Sequence, residues 1–528
     1  MDPAQTAEEA HREAKQKAII EALLRGDSDV ATLYDDATVF VTGGTGFLGK
    51  QLVEKLLRAC KISKIYFLVR SKKEKTPETR LKEVLEDPVY DVLRKGQPNF
   101  QNKIIPIEGD VGERNIGLSQ ENWQRISEEV NVIFHMAATV NFQEEIRKAT
   151  LINVRGTREI LRLAKQCSQL KSLVHVSTAF AHATKSRIKK TVDEDFYPVP
   201  ATPDYMIKLA EDNQIDLLNE IFARMSNWPN TYSFTKAIAE EAVRLMGNEL
   251  PVCIVRPGIG ISAYREPNPG WVDPKNALGA SGIVLGTLIG IIHVLLADVA
   301  IRMDFIPIDV VSNAIIAAGW ETAKGKIDKT IKIYTVTNTR KPTTFGVLEI
   351  ELNTIGRVFM SPHTVWYSFT VVTRSKLLYM TLHWFLHYIP ACIIDSALYI
   401  LGQKPRYCII LLVISLSMAL YYFMNNDWIF RDDNTLNLYM KLSSTDKHLF
   451  NFDMADVDPK KAIEVWVLGM RRYIIKDGLE GTIYARKRQH WLHVLHYFVL
   501  VLYVYGLYKL FYAVLSSVAF IYGSIVGN

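Results

Sequence analysis

The sequence predicts an α/β protein in which a doubly wound parallel sheet is followed by a mostly helical domain and an apolar C-terminal segment. Three observations support this prediction. A strand, a glycine-rich turn and a helix follow one another over residues 38–57, strands and helices alternate to about residue 345, and apolar residues dominate after about residue 365. Such alternation is typical of a parallel sheet covered by helices on both faces. A chain of 528 residues exceeds one ordinary core, so several domains are expected.

Composition argues against several classes of function. The formal net charge is +6 and no arginine-rich tract is interleaved with aromatic residues, which argues against a nucleic-acid partner. Five scattered cysteines never form a C-x-x-C pair, which indicates a reducing compartment and argues against a structural zinc site. The N-terminus lacks the apolar core of a secretory signal, so we expect the catalytic part to face the cytosol.

The first element is a nucleotide-binding turn. The strand Thr38–Val41 runs into the turn Thr42–Gly49, and the helical sequence Lys50–Leu57 follows it. This order is typical of a dinucleotide pyrophosphate site, because the helix N-terminus offers amides and a positive dipole. Gly43 permits a tight turn, Gly46 admits the phosphates and Gly49 allows close helix–strand packing. The cofactor residues predicted here are Thr42, Gly43, Thr45, Gly46, Phe47, Leu48 and Gly49.

The end of the second strand selects between the two nicotinamide dinucleotides. The strand Lys64–Val69 is followed by Arg70 and then by two lysines, without the carboxylate that would bind the ribose 2′-hydroxyl of NAD. Arginine and lysine suit a 2′-phosphate instead, so the sequence favours NADPH with Arg70 as a contact. The alternative interpretation is a solvated basic turn.

The third strand ends in a further candidate contact. Asp110 and Val111 follow the strand Ile104–Ile107. A carboxylate in this position can accept a hydrogen bond from the adenine amino group, or it can cap a turn. The spacing alone leaves both roles open, and we predict that Asp110 and Val111 line the cofactor.

The fourth strand ends in small residues. Ala137 and Ala138 follow the strand Val130–His135, and small side chains there let the chain approach a cofactor closely. We therefore predict that Ala137 and Ala138 contact the cofactor. His135 is interpreted as a packed histidine at the strand end rather than as a catalytic base.

The candidate catalytic residues come from the fifth strand and a later helix. The strand Ser172–Val176 ends in Ser177 and Thr178, and hydroxyls at the carboxyl end of a parallel strand face the ligand crevice. Tyr232 and Lys236 are four residues apart in a helical pattern, so they share one face. A Y-x-x-x-K pair is common by chance, but about 55 residues after a hydroxyl-bearing strand end in a dinucleotide fold it becomes specific.

Together these motifs form a pattern that covers residues 30–480. Its general part is the turn TGGTGFLG with Asp110-Val111, Val176-Ser177-Thr178, Tyr232-x-x-x-Lys236 and Val255-Arg256-Pro257-Gly258. Its specific part is Gly270-Trp271-Val272-Asp273, Asp304–Val311, His448–Asp453 and Trp466–Tyr473. The general part resembles the extended short-chain dehydrogenases/reductases, and the whole resembles the alcohol-forming fatty acyl-CoA reductases. The last two stretches resemble the C-terminal "sterile" domain of that family.

The resemblance implies a Rossmann-like reductase that converts a long-chain fatty acyl-CoA into a primary alcohol through a bound aldehyde, with NADPH and without a metal. Tyr232 would donate a proton to the substrate oxygen, and Thr178, or less favourably Ser177, would hold that oxygen. Lys236, together with the positive charge of the nicotinamide, would lower the pKa of Tyr232, and Lys236 would also bind the nicotinamide ribose. Pro257 and Gly258 would line the cofactor. In many members we would expect bulkier or polar residues in place of Gly258 and Gly260, a departure that would alter the wall near the nicotinamide.

The same resemblance suggests a division of the chain. It consists of a polar helical arm (1–36), an NADPH-binding reductase domain (37–345), a helical sterile domain (346–485) and a membrane anchor (486–528). The partners implied are a long-chain fatty acyl-CoA and membrane lipid, in the endoplasmic reticulum or the peroxisome. The oligomeric state stays open.

Two C-terminal stretches are candidate membrane spans. Residues 408–424 are uncharged but only 17 long, whereas residues 491–526 contain one charged residue, Lys509, and follow the basic cluster 486–488. Basic residues mark the cytoplasmic flank of a span, and a span at 408–424 would move this cluster to the far side. We therefore predict one anchor from about residue 491, either a single span or a hairpin. Residues 364–402 either pack over the cofactor domain or contact lipid.

Two other functions remain open at this stage. A membrane-bound hydroxysteroid dehydrogenase/isomerase would share the glycine turn and the pair Tyr232 and Lys236, but not the motifs at 448–473. A non-catalytic membrane scaffold would have no need to keep Thr178, Tyr232 and Lys236 together.

Overall fold

The computed structural model describes residues 27–71, 75–225, 227–276, 279–325, 330–403 and 420–526. The strands in chain order are β1 (Thr38–Thr42), β2 (Lys64–Val69), β3 (Ile104–Glu108), β4 (Val132–His135), β5 (Ser172–Val176), β6 (Thr191–Val192), β7 (Val252–Pro257), β8 (Ile259–Ile261), β9 (Val294–Leu296), β10 (Arg302–Met303), β11 (Phe305–Pro307), β12 (Lys332–Val336), β13 (Thr343–Thr344), β14 (Val371–Thr373) and β15 (Ile429–Phe430).

The α-helices in chain order are α1 (Asp29–Leu33), α2 (Phe47–Ala59), α3 (Pro77–Leu85), α4 (Asp91–Gly96), α5 (Gln120–Glu129), α6 (Ile146–Ala149), α7 (Gly156–Gln166), α8 (Pro203–Glu211), α9 (Ile215–Met225), α10 (Thr231–Met246), α11 (Ala280–Leu288), α12 (Ile308–Lys324), α13 (Phe345–Val358), α14 (Lys376–His383), α15 (Ile389–Ile400), α16 (Asp433–Lys441), α17 (Ser444–Leu449), α18 (Pro459–Gly469) and α19 (Thr482–Val526). Three π-helical turns lie at Thr150–Arg155, Trp384–Tyr388 and Met470–Ile475.

A seven-stranded parallel sheet forms the centre of the molecule. The strand order is β12-β7-β5-β4-β1-β2-β3, so the chain winds outward in both directions from β1. Val39 of β1 pairs with Ile65 of β2 on one side and with Val132 of β4 on the other. The order of connection reverses between β1 and β4, and ligands of such sheets bind outside the carboxyl ends of the strands at that point. The predicted doubly wound parallel sheet is confirmed.

The apolar strand sequences explain the layers. All five residues of β1 are buried, because helices cover both faces of the sheet. On one face Val39 and Val41 join a core with α2 and α12, and on the other Phe40 and Ile133 join a core with α7 and α10. Because the helices on both faces connect parallel strands, every strand ends at the same edge of the sheet, beside the crevice at the β1–β4 reversal.

The C-terminal helices share the core of the sheet domain. Phe450 and Phe452 belong to the same buried cluster as β1, and Trp466 of α18 packs on Phe305 of β11 with ring centroids 5.5 Å apart. The fully buried Lys55 of α2 donates from Nζ to Glu266 Oε1 at 2.7 Å and to the Leu449 carbonyl at 2.6 Å. The proposed boundary at residue 345 therefore does not separate two independent cores.

The N-terminal arm ends inside the fold. Residues 1–26 lie outside the described residues, but α1 packs against the sheet domain through the buried Val30 and Tyr34. The Tyr34 hydroxyl donates to the Ile316 carbonyl at 2.7 Å, and the Ser28 hydroxyl donates to Asp446 at 2.5 Å. The last part of the expected polar arm is thus packed in the core, because its apolar residues Val30 and Tyr34 are buried there.

Within the described residues, two helical segments are long and apolar enough to cross a membrane by length and composition. They cover Lys376–Ile400 and Thr482–Val518. Helix α19 continues without a break from Thr482 to Val526, so the described chain shows no hairpin there. Most of the candidate span at 408–424 lies outside the described residues, and its described end folds back onto the body, where Phe423 and Met424 are buried.

Candidate active site

The glycine turn has the backbone that a pyrophosphate site needs. Gly43 has a φ of 77°, and an added Cβ would lie 2.6 Å from the Ala137 nitrogen. An added Cβ at Gly49 would lie 2.3 Å from the Gly43 carbonyl oxygen, so α2 packs tightly on the turn. Gly46 caps α2 with a φ of −85° and without a side-chain hydrogen bond. The first amides of α2 are therefore available to an anionic ligand.

The turn contains both exposed and buried members. Thr45, Gly46, Phe47 and Leu48 are partly exposed at the crevice. Thr42 is fully buried, and its Oγ1 lies 2.8 Å from His135 Nδ1. The Thr42 side chain thus supports the turn from beneath and has no surface left for the predicted cofactor contact.

His135 is a structural residue, in agreement with its interpretation from the sequence. Its Nε2 lies 3.1 Å from Thr157 Oγ1, so both ring nitrogens have hydroxyl partners. Burial lowers the pKa of His135 to about 3, and the nearby Lys236 charge adds to this effect. The imidazole is therefore neutral at physiological pH.

Arg70 and Asp110 meet at the ends of β2 and β3. Arg70 Nη1 lies 3.7 Å from Asp110 Oδ2, and both side chains remain partly exposed. Asp110 Oδ1 also accepts a hydrogen bond from the Gly112 nitrogen at 2.9 Å, so the carboxylate caps a turn. Val111 packs against Gly156 at the start of α7, where an added Cβ would lie 2.8 Å from the Val111 carbonyl oxygen. Lys72 and Lys73 lie outside the described residues.

The chain after β4 is held in place by a residue that the sequence analysis did not single out. Ala137 and Ala138 are partly exposed at the crevice. Asn153 accepts from the Thr139 nitrogen at 2.9 Å and donates to Thr235 Oγ1 at 2.9 Å, which links this chain to α10. Asn153 sits in the π-helical turn Thr150–Arg155, and such turns are frequent at functional sites.

Tyr232, Lys236 and Thr178 lie together at the carboxyl end of β5. The Asn230 side chain caps α10 by accepting from the Ser233 nitrogen at 2.8 Å, which sets the first turn that carries Tyr232. The Thr178 hydroxyl lies close enough to the Tyr232 phenol to lower its pKa. Lys236 Nζ donates to the Val176 carbonyl at 2.8 Å. The structure thus brings Thr178 together with Tyr232 and Lys236, which lie 54 and 58 positions later in the chain.

The structure distinguishes the two hydroxyls after β5. Thr178 Oγ1 donates to the Pro257 carbonyl at 3.4 Å and accepts from the Phe180 nitrogen at 3.3 Å, besides its contact with Tyr232. Ser177 Oγ is buried and has no hydrogen-bond partner among the described residues. Because Thr178, and not Ser177, lies beside the Tyr232 phenol, Thr178 is the better placed of the two to meet a substrate oxygen.

The pKa of Tyr232 differs from the expectation. Burial of the phenol raises its pKa to about 12, and only the hydrogen bond with Thr178 opposes this rise. The predicted lowering by Lys236 is not found, because desolvation dominates and the ammonium is directed at the Val176 carbonyl. Burial also lowers the pKa of Lys236 to about 8, against the attraction of Glu240. At neutral pH the phenol carries its proton and Lys236 is cationic.

A buried ion pair supports this arrangement from behind. Glu240, one turn after Lys236, accepts from Arg256 Nη2 at 2.6 Å and lies 3.0 Å from His182 Nε2. Both side chains of the ion pair are 1% exposed. Arg256 precedes Pro257, so the pair joins α10, β7 and the segment after Thr178.

Pro257 and Gly258 lie at the end of β7, beside Thr178. The Gly258 nitrogen donates to the Val336 carbonyl at 2.9 Å, and an added Cβ would lie 2.6 Å from the Asp304 carbonyl oxygen. The close approach of β8 and β11 therefore accounts for glycine at this position. This packing explains Gly258 without any change in the residues that line the nicotinamide site.

An aromatic cluster covers Tyr232, and it was not predicted from the sequence. Phe142 stacks on the Tyr232 ring at 5.9 Å, and Phe423 packs on Phe142 at 5.6 Å. Phe180 contacts Phe423 at 5.1 Å and Phe430 at 5.3 Å. Half of this cluster comes from residues after 420, which reach the site because β15 pairs with β6. No local motif marks such residues.

In the part of the chain that the structure describes, no group of three or more histidine, cysteine, aspartate or glutamate residues could hold a metal ion.

Comparison with known proteins identifies the family. A model of the NAD-binding region described as "Male sterility protein" matches residues 41–315, and the "Sterile" model with the same description matches residues 386–477. "Fatty acyl-CoA reductase wat" of Drosophila melanogaster is 36% identical over 92% of this chain and 95% of its own length. "Fatty acyl-CoA reductase 1" of Homo sapiens is 35% identical over 88% of this chain and 90% of its own length.

Solved structures show the same fold at lower identity. The terminal R domain of the myxalamid PKS-NRPS biosynthetic pathway has a TM-score of 0.56 and 23% identity, covering 83% of this chain and 91% of that domain. The reductase domain of a nonribosomal peptide synthetase from Mycobacterium tuberculosis has a TM-score of 0.53 and 20% identity, over 86% and 96%. The fold rests on these structures, and the family rests on the full-length relatives. This chain belongs to the fatty acyl-CoA reductase family.

Proposed function

We propose that this protein reduces long-chain or very-long-chain fatty acyl-CoA to a primary fatty alcohol, with NADPH as reductant and with release of CoA. The observation that supports this most directly is the contact between Tyr232 and Thr178 at the carboxyl end of β5, beside the cationic Lys236. A proton donor and an oxygen-binding hydroxyl at the crevice of a dinucleotide-binding sheet suit carbonyl reduction. The aromatic cluster over Tyr232 offers an apolar surface to an acyl chain.

The residues present fit a bound NADPH. The turn from Gly43 to Gly49 leaves the amides of α2 open to a pyrophosphate, and a side chain at Gly46 would enter that space. Arg70 would leave Asp110 and bind the 2′-phosphate instead, so that the guanidinium keeps an anionic partner. Asp110, Val111, Ala137, Ala138, Pro257 and Gly258 would line the rest of the cofactor. When bound, NADPH supplies one hydride to each of two reductions.

In the first reduction the chain must stabilise charge on the thioester oxygen. The Thr178 hydroxyl would turn from the Pro257 carbonyl to donate its hydrogen bond to this oxygen, and Tyr232 would give the oxygen a proton, which yields a hemithioacetal. Loss of CoA as a thiol then leaves an aldehyde. The aromatic cluster would hold the alkyl chain, so that the aldehyde stays beside Tyr232.

In the second reduction the same groups act on the aldehyde. Tyr232, which has taken up a proton from solvent after the first reduction, donates it to the aldehyde oxygen, and the product is the primary alcohol. Lys236 would hold the nicotinamide ribose. In sum, one acyl-CoA, two NADPH and two protons yield one alcohol, two NADP⁺ and one CoA.

We also propose that α19 anchors the protein in the endoplasmic reticulum or peroxisomal membrane, with the catalytic domain in the cytosol. The helix is apolar, and the exposed Arg486 and Lys487 lie where it leaves the body. Basic residues in this position mark the cytoplasmic flank. Single-pass anchoring suits the unbroken helix better than a hairpin does.

The decisive assay uses the purified full-length protein in detergent with NADPH and acyl-CoAs of increasing chain length. Fatty alcohol and free CoA should appear in equal amounts. Reduction of sterols alone, or no turnover with either substrate class, would refute the proposal.

Arg70 offers a test of cofactor preference. Arg70→Glu is expected to raise the KM for NADPH by about ten- to a hundredfold, since a hydrogen-bonded charge pair contributes about 1.5–3 kcal/mol. The KM for NADH should change little. Arg125→Glu, an exposed arginine on α5, serves as the matched control. Equal wild-type rates with NADH and NADPH would contradict the role of Arg70.

The pH dependence offers a test of Lys236. Its lowered pKa of about 8 means that the ammonium is charged below this pH and neutral above it. Activity is therefore expected to fall about tenfold per pH unit above about pH 8, while Tyr232 keeps its proton in this range. The profile of kcat/KM against pH measures this fall. Lys236→Arg should shift the descending limb to higher pH, and an unshifted limb would assign it to another group.

A further inference from the structure

An apolar helical rod begins packed on the body through the buried Tyr379, His383 and His387, and it runs on at a place that the anchor does not explain. Helix α14, the turn Trp384–Tyr388 and helix α15 run on as one segment of 25 residues, Lys376–Ile400. At about 1.5 Å per residue it spans roughly the 30 Å thickness of a bilayer's hydrocarbon core. Leu377, Ile393 and Ile400 are 80%, 60% and 81% exposed. A contiguous apolar surface of this length marks an interaction site.

The chain leaves the body and returns to it at one place. Lys376 Nζ lies 4.7 Å from the centre of the Tyr421 ring, although 45 positions separate the two residues. The chain before the rod pairs as β14 with β9, and the chain after it continues on β9, where Asn425 donates to the Leu296 carbonyl at 2.8 Å. The only Asp, Glu, Lys or Arg residues between positions 377 and 420 are Asp395, Lys404 and Arg406.

The rod emerges beside α19. Phe385 contacts Tyr503 of α19 with ring centroids 6.3 Å apart. The base of α19 is fixed to the body, since Arg488 donates to the Pro362 and Thr364 carbonyls at 2.8 and 2.7 Å. Two apolar helices therefore leave the same face of the molecule in contact with each other.

The charges around this face indicate lipid as the occupant. The exposed Arg374 and Lys376 lie at the base of the rod, and Arg486 and Lys487 lie at the base of α19. Cations at the base of apolar helices, which carry beyond that base only Asp395 in the rod and Lys509 in α19, match the anionic headgroups and the hydrocarbon of a bilayer in that order. A second copy or another protein would not require this order of charge along the helix.

We propose that Lys376–Ile400 is a second membrane-inserted element, which enters the bilayer beside α19 from the face on which the catalytic domain lies. This proposal rests on the proposed membrane anchoring of α19. Because the chain returns to the body on the face from which it left, the basic residues before α19 stay on the catalytic side. The objection to a second membrane segment, raised from the sequence, therefore disappears.

The returning chain connects the bilayer to the reaction site. Tyr422 donates from its hydroxyl to the Ala183 carbonyl at 3.2 Å, and the next residue, Phe423, belongs to the aromatic cluster over Tyr232. An acyl chain bound by this cluster would thus lie beside the point where the protein meets lipid. The insertion would let an apolar substrate or product pass between site and membrane without crossing water.

Depth-dependent fluorescence quenching tests the insertion. Cys392 and Cys408 are replaced by serine. Cys60, Cys167 and Cys253 are kept, because they are buried and shielded from the label. Ile393→Cys is then labelled with a bimane and the full-length protein is reconstituted in phosphatidylcholine vesicles that carry doxyl groups near the headgroup or deep in the acyl chain. Val501→Cys on α19, 67% exposed, is the positive control, and Leu245→Cys on α10, 50% exposed, is the soluble-face control.

The label at position 393 is expected to lose about half of its fluorescence or more to the deep quencher, as at position 501, and less to the shallow one. The label at position 245 should keep its fluorescence with both. An unquenched or only shallowly quenched label at 393, with deep quenching at 501, would overturn the second element and leave the anchor intact. Absence of quenching at both 393 and 501 would overturn the anchor as well. Circular dichroism of each variant in detergent confirms that it is folded.

Discussion

Tyr232→Phe is expected to lower kcat for fatty alcohol formation by about a hundred- to ten-thousandfold, the range of general acid catalysis. The phenol pKa of about 12 keeps its proton in place at neutral pH, and the substitution removes this proton donor while it preserves the ring. The stack on Phe142 can therefore persist, and Thr178 keeps its hydrogen bond to the Pro257 carbonyl. The measurement is steady-state turnover of acyl-CoA, followed as alcohol produced.

Binding and stability distinguish a lost proton from a damaged site. The Kd for NADPH and the Tm of the variant should equal those of the wild type. Tyr205→Phe, which removes the hydroxyl of an exposed tyrosine on α8, should retain full activity. If Tyr232→Phe keeps more than about a tenth of the wild-type kcat, another group donates the proton and the proposed role of Tyr232 is wrong.

Gly46→Ala is expected to weaken NADPH binding by about ten- to a hundredfold, which corresponds to the loss of one hydrogen bond to a charged phosphate. The φ of −85° suits alanine, and apart from the two adjacent residues the nearest described atom to the added Cβ is the Gly43 carbonyl oxygen at 3.3 Å. The fold should therefore tolerate the methyl group, which would instead occupy the space of the pyrophosphate. Titration of protein fluorescence with NADPH measures the Kd, and thermal unfolding measures the Tm.

Gly49→Ala provides the matched control. Its added Cβ would lie 2.3 Å from the Gly43 carbonyl oxygen and 2.5 Å from the Gly44 Cα, both of them backbone atoms. Overpacking of this kind costs about 1–3 kcal/mol, so a lower Tm is expected. A reversed result, with Gly46→Ala unstable and Gly49→Ala deficient only in NADPH binding, would contradict the assignment of the two glycines.

The strand ends show how far sequence alone can predict a site. β2 and β5 run over the residues expected, because continuous apolar runs bounded by polar residues are characteristic of buried parallel strands. Once these strands are parallel and sequential, Thr178 must lie at the same sheet edge as the glycine turn. The position of Tyr232 and Lys236 on one face of α10 follows from helical periodicity.

Other features required the three-dimensional structure. Thr42 lies in the predicted turn, but the sequence does not reveal that its hydroxyl faces inward to His135. The pKa of Tyr232 depends on desolvation by residues distant in sequence, so a charge one helical turn away was a poor guide to it. Asn153 lies in a π-helical turn, where side chains depart from regular helical spacing, so a helical pattern in the sequence does not predict its contacts.

By itself the sequence determined the parallel sheet, the cofactor turn, the Tyr232–Lys236 pair and the apolar C-terminus, because each depends on local periodicity or on residues close together in the chain. The tertiary structure decided which groups meet. It brought Phe423 onto Phe142, which stacks on Tyr232, and it brought Lys376 onto Tyr421. It also joined the C-terminal helices to the core of the sheet. Such contacts arise from burial of apolar surface between distant segments, which is non-directional and leaves no spacing rule in the sequence.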